Sequence, residues 1–185
     1  MINIQISLYT ITLLIMTLIQ GGDQKHIEIS VSEETTDVRE RINGLLTYGN
    51  DIKIKEDEIL IVNLWGTWCQ PCIGEIPSLN RLVKDYSNDK VRFLAFSDEH
   101  PDRLKMYNFK NFQKRKSDFV FEYEQNFGQP EIPKYIRSLD TIRNGKGVPI
   151  HLLVKADGTL GRVLLGASET YEHTIRKFID NELNR

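Results

Sequence analysis

The sequence predicts an α/β fold with a mixed central β-sheet flanked by helices, and three observations carry that expectation. From residue 58 onward, short β-branched apolar runs alternate with helical stripes, the pattern of parallel strands joined by crossover helices. Near the C-terminus, two strand-like segments flank Ala156-Asp157-Gly158, and Asp-Gly supplies the positive φ of a tight turn. That hairpin must be antiparallel, so the sheet is mixed. Third, 185 residues with 40% hydrophobic content suffice for one core of ordinary size and are too few for two comfortable domains.

The elements follow in order. Residues 23–57 are polar and read as a linker with an accessory N-terminal segment, containing a strand candidate at 27–31 and a weak helical pattern at 38–46. Ile59-Leu60-Ile61-Val62 suits a strand buried on both faces. From Cys72 to Ser87, Ile73, Ile76, Leu79, Leu82, Val83 and Tyr86 form a helical stripe that Pro77 should kink. A second buried strand is expected at 91–97 and an amphipathic helix from Pro101 through Phe112. Residues 119–123 read as a short strand, 131–142 as a helix after Pro130, and Gly145 to Gly147 as a loop before Val148-Pro149. The hairpin strands are 150–154 and 160–165; a last helix, capped by Ser168, carries Tyr171, Ile175, Phe178, Ile179 and Leu183.

Composition narrows the function classes. Lys plus Arg number 24 against 26 Asp plus Glu, and a net charge of −2 exerts no broad pull on nucleic acid. The basic run 110–116 is a solvated helix end on this reading, without a second basic patch. No charged side chain precedes Asp23, and residues 4–19 are mostly apolar, so residues 1–22 read as a signal peptide or membrane anchor. Export places the chain in a bacterial periplasm or envelope, where disulfides form and are traded. Residues 58–185 are then the main domain.

The chemistry is expected at Trp65-Gly66-Thr67-Trp68-Cys69-Gln70-Pro71-Cys72, a C-x-x-C between a buried strand and a helix. Thiolate is the attacking species, and an unperturbed cysteine is only about 3% ionised at pH 7. A helix N-terminus favours an anion on Cys69, expected to be the exposed thiol, and Cys72 one turn on can resolve a mixed disulfide. A zinc site would need two more ligands, and no second C-x-x-C or paired-His motif exists among the four histidines. No metal or other cofactor is expected. Glu75, a further turn along, could reach the active-site side and serve as acid or base. Its alternative is a solvated glutamate on the helix face. Trp68 reads as an exposed docking face, since Trp65 holds the strand position. His151 reads as an inward strand residue with no part in the site.

These residues resemble the TlpA/ResA-type thioredoxin-like thiol–disulfide oxidoreductases over about residues 58–184. Val62-Asn63-Leu64-Trp65, Trp68-Cys69-Gln70-Pro71-Cys72, Glu75, Pro77 and Val148-Pro149 before a strand and an Asp-Gly turn carry the likeness. The resemblance implies a thioredoxin fold, an N-terminal signal or anchor, and transfer of reducing equivalents to protein disulfides outside the cytoplasm, including apocytochromes in cytochrome c maturation. It implies a membrane-embedded thiol reductant as partner, and Glu75 as substitute for the buried acid that thioredoxins carry where this chain has Asn63. It implies also that Pro149 is a cis-proline presenting the backbone of Val148 to substrate, with Trp68 and Pro71 beside it. Residues 25–57 match the family poorly, and 105–147 are longer and more aromatic than its pattern.

Another class of function uses the same cysteines: copper delivery through two thiolates, which would want a third soft or His ligand. A peroxidase of this fold would generally use a lone peroxidatic cysteine in another motif.

Overall fold

The computed structural model describes residues 27–30, 37–46, 52–87, 90–99 and 120–185. In chain order the elements are β1 (Ile27–Ser30), α1 (Val38–Leu45), β2 (Ile59–Trp65), α2 (Gln70–Asp85), β3 (Val91–Ser97), β4 (Glu124–Asn126), α3 (Glu131–Ser138), β5 (Ile150–Val154), β6 (Leu160–Leu165) and α4 (Tyr171–Leu183). The strands form one sheet in the order β1-β6-β5-β2-β3-β4, parallel at β2–β3 and β3–β4 and antiparallel elsewhere. The mixed sheet is therefore present, with the thioredoxin-like order of crossovers and a closing hairpin.

Alternate residues of each central strand serve two cores. Ile59, Ile61 and Trp65 of β2 and Leu153 of β5 face α2 and α4, packing on Ile73, Ile76, Leu79, Ile175 and Ile179. Leu60, Val62 and Leu64, with Ile150, Leu152 and Val154, face α1 and α3 through Val38, Ile42, Ile132 and Ile136. Because both faces are covered, β2 and β5 are buried along their whole length, which explains apolar runs without polar alternation. The two interruptions, Asn63 and His151, are direct cross-strand partners and lie on the α2/α4 face.

Several boundaries differ from the sequence reading. The strand expected at 119–123 begins only at Glu124, which pairs with Leu94. Phe121 and Tyr123 instead stack on each other at 4.8 Å and pack edgewise or tilted on Trp65 and Phe93, so their apolar character fills the core rather than a ladder. The helix expected over 131–142 stops at Ser138. Asp140 ends it: its carboxylate accepts from the Arg143 backbone N–H at 2.7 Å and pairs with the guanidinium at 2.8 Å, and positive φ at Asn144 and Gly145 turns the chain away. Ser168 is not the cap of α4; Thr170 holds that position, and the Ser168 hydroxyl accepts from Thr170 N–H in the preceding turn. The strand at the N-terminal side spans 27–30 and extends the sheet beside β6. The apolar segment 4–19, the helix expected from Pro101 and the basic run 110–116 lie outside the described residues. Among the described residues, no helix is long and apolar enough to cross a membrane.

Candidate active site

The site begins where β2 ends. Gly66 to Trp68 turn the chain, Cys69 N–H donates to Gly66 O at 3.0 Å, and Cys69 becomes the N-cap of α2 in an extended conformation. A sulfur stands where Ser or Asp would usually cap, and Sγ accepts from Cys72 N–H at 3.2 Å. Pro71 falls in the first turn, where its missing N–H costs nothing. Cys69 and Cys72 are joined as a disulfide. The helix N-terminus thus aims an N–H and its dipole at Cys69 Sγ, the arrangement that stabilises a thiolate there once the bond is reduced. The expectation of an exposed Cys69 is corrected: the residue is only 4% exposed, because the Val148 loop lies against it.

That loop supplies the opposite wall. The Val148–Pro149 peptide is cis, and the Val148 carbonyl oxygen lies 3.7 Å from Cys69 Sγ. The oxidised sulfur has no proton to donate, so this is a contact; a reduced thiol could donate across it. Arg137 of α3 holds the approach to Val148, giving Nη1 to the carbonyls of Gly145 and Gly147 and Nε to Asp98 at 3.0 Å. Asp98 N–H in turn donates to Trp65 O at 2.7 Å, so the ends of β2, β3 and the loop are tied together. Trp68 stands in solvent, 55% exposed, with its indole over Gly66, where a Cβ would come within 2.7 Å of Nε1.

Two further polar groups support the turn and helix. The buried Glu99 carboxylate accepts from the Thr67 backbone N–H at 2.7 Å, from the Thr67 hydroxyl and from the Ser97 hydroxyl. Glu75 is not a solvated helix-face residue; it is 8% exposed and turned inward, where it accepts from Asn63 Nδ2 at 3.2 Å and meets His151 Nε2 at 3.3 Å. Its edge opens on a cleft of about 240 Å³ lined by Pro71, Gly74, Ser78, Ser168 and Glu169 among others. Tyr123 and Tyr171 also feel this carboxylate: burial, then the Glu75 charge, pushes the Tyr123 hydroxyl well up, and burial raises that of Tyr171 with a smaller push from Glu75.

The sequence reading therefore placed Cys69, Cys72, Trp68, Pro71, Glu75, Val148 and Pro149 in one region, and the structure gathers Cys69, Cys72, Pro71 and Glu75 on one helix end with Val148 against Cys69. It missed His151, Glu99 and Arg137. A signal for His151 was present, since one polar residue in each of two apolar runs needs a buried partner.

A reducible pair at a helix N-terminus, beside a cis-proline loop and on a sheet of this order, defines a protein of thioredoxin fold. The chain belongs to the AhpC/TSA family, whose model matches residues 46–163. It is 28% identical over 121 residues to the thiol-disulfide oxidoreductase ResA of Bacillus cereus (strain ZK / E33L), covering 64% of this chain and 62% of that protein. Against ResA of Geobacillus kaustophilus (strain HTA426) the identity is 40% over 110 residues, covering 58% and 54%. The chain thus spans less than two thirds of the length of these relatives. A crystal structure of a thiol:disulfide interchange protein, thioredoxin family, from Chlorobium tepidum TLS superposes with a TM-score of 0.53 at 21% identity, covering 67% of this chain and 81% of that one, and speaks for the fold.

Proposed function

We propose that this chain is a thiol–disulfide oxidoreductase that reduces or exchanges protein disulfides through Cys69 and Cys72. The observation that carries the reading is the disulfide at the N-terminus of α2, with Cys72 N–H donating to Cys69 Sγ and the Val148 carbonyl against the same sulfur. In the reduced form, the Cys69 thiolate attacks a substrate disulfide. One substrate sulfur bonds to Cys69 and the other leaves as a thiolate that takes up a proton. Cys72 then loses its proton to Glu75, attacks Cys69 Sγ and displaces the second substrate sulfur. Two electrons have passed from the dithiol to the substrate, and the Cys69–Cys72 bond is restored. The Val148 backbone, next to the sulfur and ahead of β5, presents a strand edge on which an extended substrate segment can pair, with Trp68 and Pro71 flanking it.

On this reading the chain works in a bacterial envelope, brought there by its N-terminal apolar segment, and is recharged by a membrane-embedded thiol reductant; apocytochromes awaiting haem are one substrate class. The uncharged, mostly apolar composition of residues 1–22 supports the envelope assignment, and the resemblance of the cysteine segment to the TlpA/ResA type supports the reductant and substrate class. Residues 1–22 act as signal or anchor, 23–57 as linker and accessory segment, and 58–185 as the catalytic domain.

The test is turbidimetric reduction of insulin with dithiothreitol as electron source, for the full chain and for Cys69→Ser and Cys72→Ser. We expect wild type to accelerate precipitation, Cys69→Ser to be inert, and Cys72→Ser to accumulate a mixed disulfide visible by mass spectrometry. Equal rates for wild type and Cys69→Ser would overturn the proposal.

A further inference from the structure

One turn along α2 from Cys72, three buried side chains close a ring. Asn63 Nδ2 lies 3.2 Å from Glu75 Oε1 and 3.2 Å from His151 Nδ1, and His151 Nε2 lies 3.3 Å from Glu75 Oε2. His151 is fully buried and Asn63 nearly so, and Asn63 Oδ1 has no partner among the described residues.

Each contact in such a ring needs one donor and one acceptor, so the three contacts need three donors. The Asn63 amide nitrogen supplies two. A neutral imidazole supplies one, and since Nδ1 faces an amide N–H its proton must sit on Nε2, facing Glu75. The carboxylate supplies none. Every contact is then matched. The ring thereby fixes the plane of the carboxylate: Oε1 takes a donor from β2 and Oε2 one from β5.

We propose that His151 is a positioning residue for disulfide exchange: by donating from Nε2 it fixes the Glu75 carboxylate as the acceptor of the Cys72 proton. This rests on the role given to Glu75 above. When Cys72 S–H gives that proton to Glu75, the Cys72 thiolate forms its bond to Cys69, the Cys69–substrate bond breaks, and the substrate sulfur leaves with the electron pair. Glu75 then passes that proton to water in the cleft it lines, and the ring resets. The other groups facing the ring do not compete. Tyr171 of α4 packs its ring nearly perpendicular to that of His151, centroids 5.7 Å apart, donates its hydroxyl to Leu165 O, and has that hydroxyl pushed up by burial; the Tyr123 hydroxyl is pushed up further. Both stay neutral across the working range. Arg143, whose charge reaches Tyr171, is engaged by Asp140, and Glu169 lies across the open cleft.

The experiment is the rate of insulin reduction against pH, from about 5 to 9, for wild type, His151→Leu, His151→Gln, Glu75→Gln and the double variant His151→Leu with Glu75→Gln. His151→Leu removes a donor to the anion and should move the acidic limb of the profile up by about one pH unit, roughly tenfold in rate below it. His151→Gln, whose amide can donate in place of Nε2, should recover part of the shift. In the Glu75→Gln background, His151→Leu should add nothing. An unmoved limb in His151→Leu, or the same added shift in the double variant, would overturn the role of His151. A flat response to Glu75→Gln alone would instead remove Glu75 from the mechanism. A spectroscopic reading needs no variant: ¹⁵N shifts of wild-type His151 should report a neutral ring protonated at Nε2 at pH 7. A ring protonated at Nδ1, or an imidazolium, sinks the proposal even if the His151 variants do not fold.

Discussion

Glu99 offers a direct test of how firmly the cysteine-bearing turn is held. Its buried carboxylate accepts from the Thr67 N–H at 2.7 Å and from the hydroxyls of Thr67 and Ser97, so it grips the turn two residues before Cys69. Hydrogen bonds to a charged group contribute about 1.5–3 kcal/mol each when measured singly. Three such bonds to one carboxylate do not add, and part of their gain offsets the cost of burying the charge. We therefore expect Glu99→Ala to lower stability by about 2–4 kcal/mol, chiefly through the Thr67 N–H left without its partner. Glu99→Gln, which keeps an acceptor and the shape, should lose about 1–2 kcal/mol. For a chain of this size, these losses lower Tm by about 2–4 °C per kcal/mol. The turn also fixes Cys69 against the Val148 loop, and a displacement of about 1 Å can cost a hundredfold in rate. Insulin reduction should accordingly fall in Glu99→Ala at a temperature where circular dichroism shows the variant folded. A Tm within about 1 °C of wild type, with an unchanged exchange rate, would mean that the carboxylate does not hold the turn.

Three further outcomes follow from packing and charge. Gly161→Ala should destabilise by about 1–3 kcal/mol in urea unfolding, because the new Cβ would lie 2.5 Å from the Phe178 ring of α4; an unchanged midpoint would show that the helix can yield. Burial, with the bond from its hydroxyl to Asp180, pushes Tyr86 up to about 12, so its contribution is whole below pH 10 and is lost as pH rises through 12; Tyr86→Phe should flatten this alkaline loss by about 2 kcal/mol, and equal pH slopes in the two proteins would count against it. Asn63→Asp places a second carboxylate 3.2 Å from that of Glu75, and two such anions cannot both stay ionised, so the folded variant binds an extra proton and its stability deficit should widen with rising pH by up to about 1.4 kcal/mol per pH unit; a deficit independent of pH would show that the ring accommodates both charges.

What could be read from the sequence was what is local in the chain. The C-x-x-C at a strand-to-helix junction, the Val148-Pro149 pair and the Asp-Gly hairpin are each set by a few adjacent residues, and all are found where expected, with β3, β5 and β6 matching residue for residue. The strand β4 was illegible because Glu124-Gln125-Asn126 has neither β-branched residues nor apolar alternation; pairing with β3 alone makes it a strand. The aromatic residues just before it gave a strand-like pattern for a different reason, which was core filling beside Trp65. The end of α3 depends on the Asp140 carboxylate folding back on Arg143, a capping geometry that periodicity does not register.

The same distinction divides the site. Cys69 is activated by backbone geometry that its own neighbours generate, so a strand, a turn and a proline in the first helical turn suffice to announce it. The proton of Cys72 is, on the mechanism proposed, handled by groups brought from β2, α2 and β5, residues 63, 75 and 151, whose meeting depends on β2 and β5 pairing antiparallel in one register. A shift of that register by one residue would send His151 to the opposite face, among Ile150 and Leu152's neighbours, and leave Glu75 buried with only Asn63. In the native register, Asn63 and His151 would each be costly alone within the apolar strands; paired across them and closed by Glu75, they satisfy one another. The polar interruptions of the two central strands thus answer one requirement: a buried carboxyl needs donors on both its oxygens, and the sheet is what delivers them to α2.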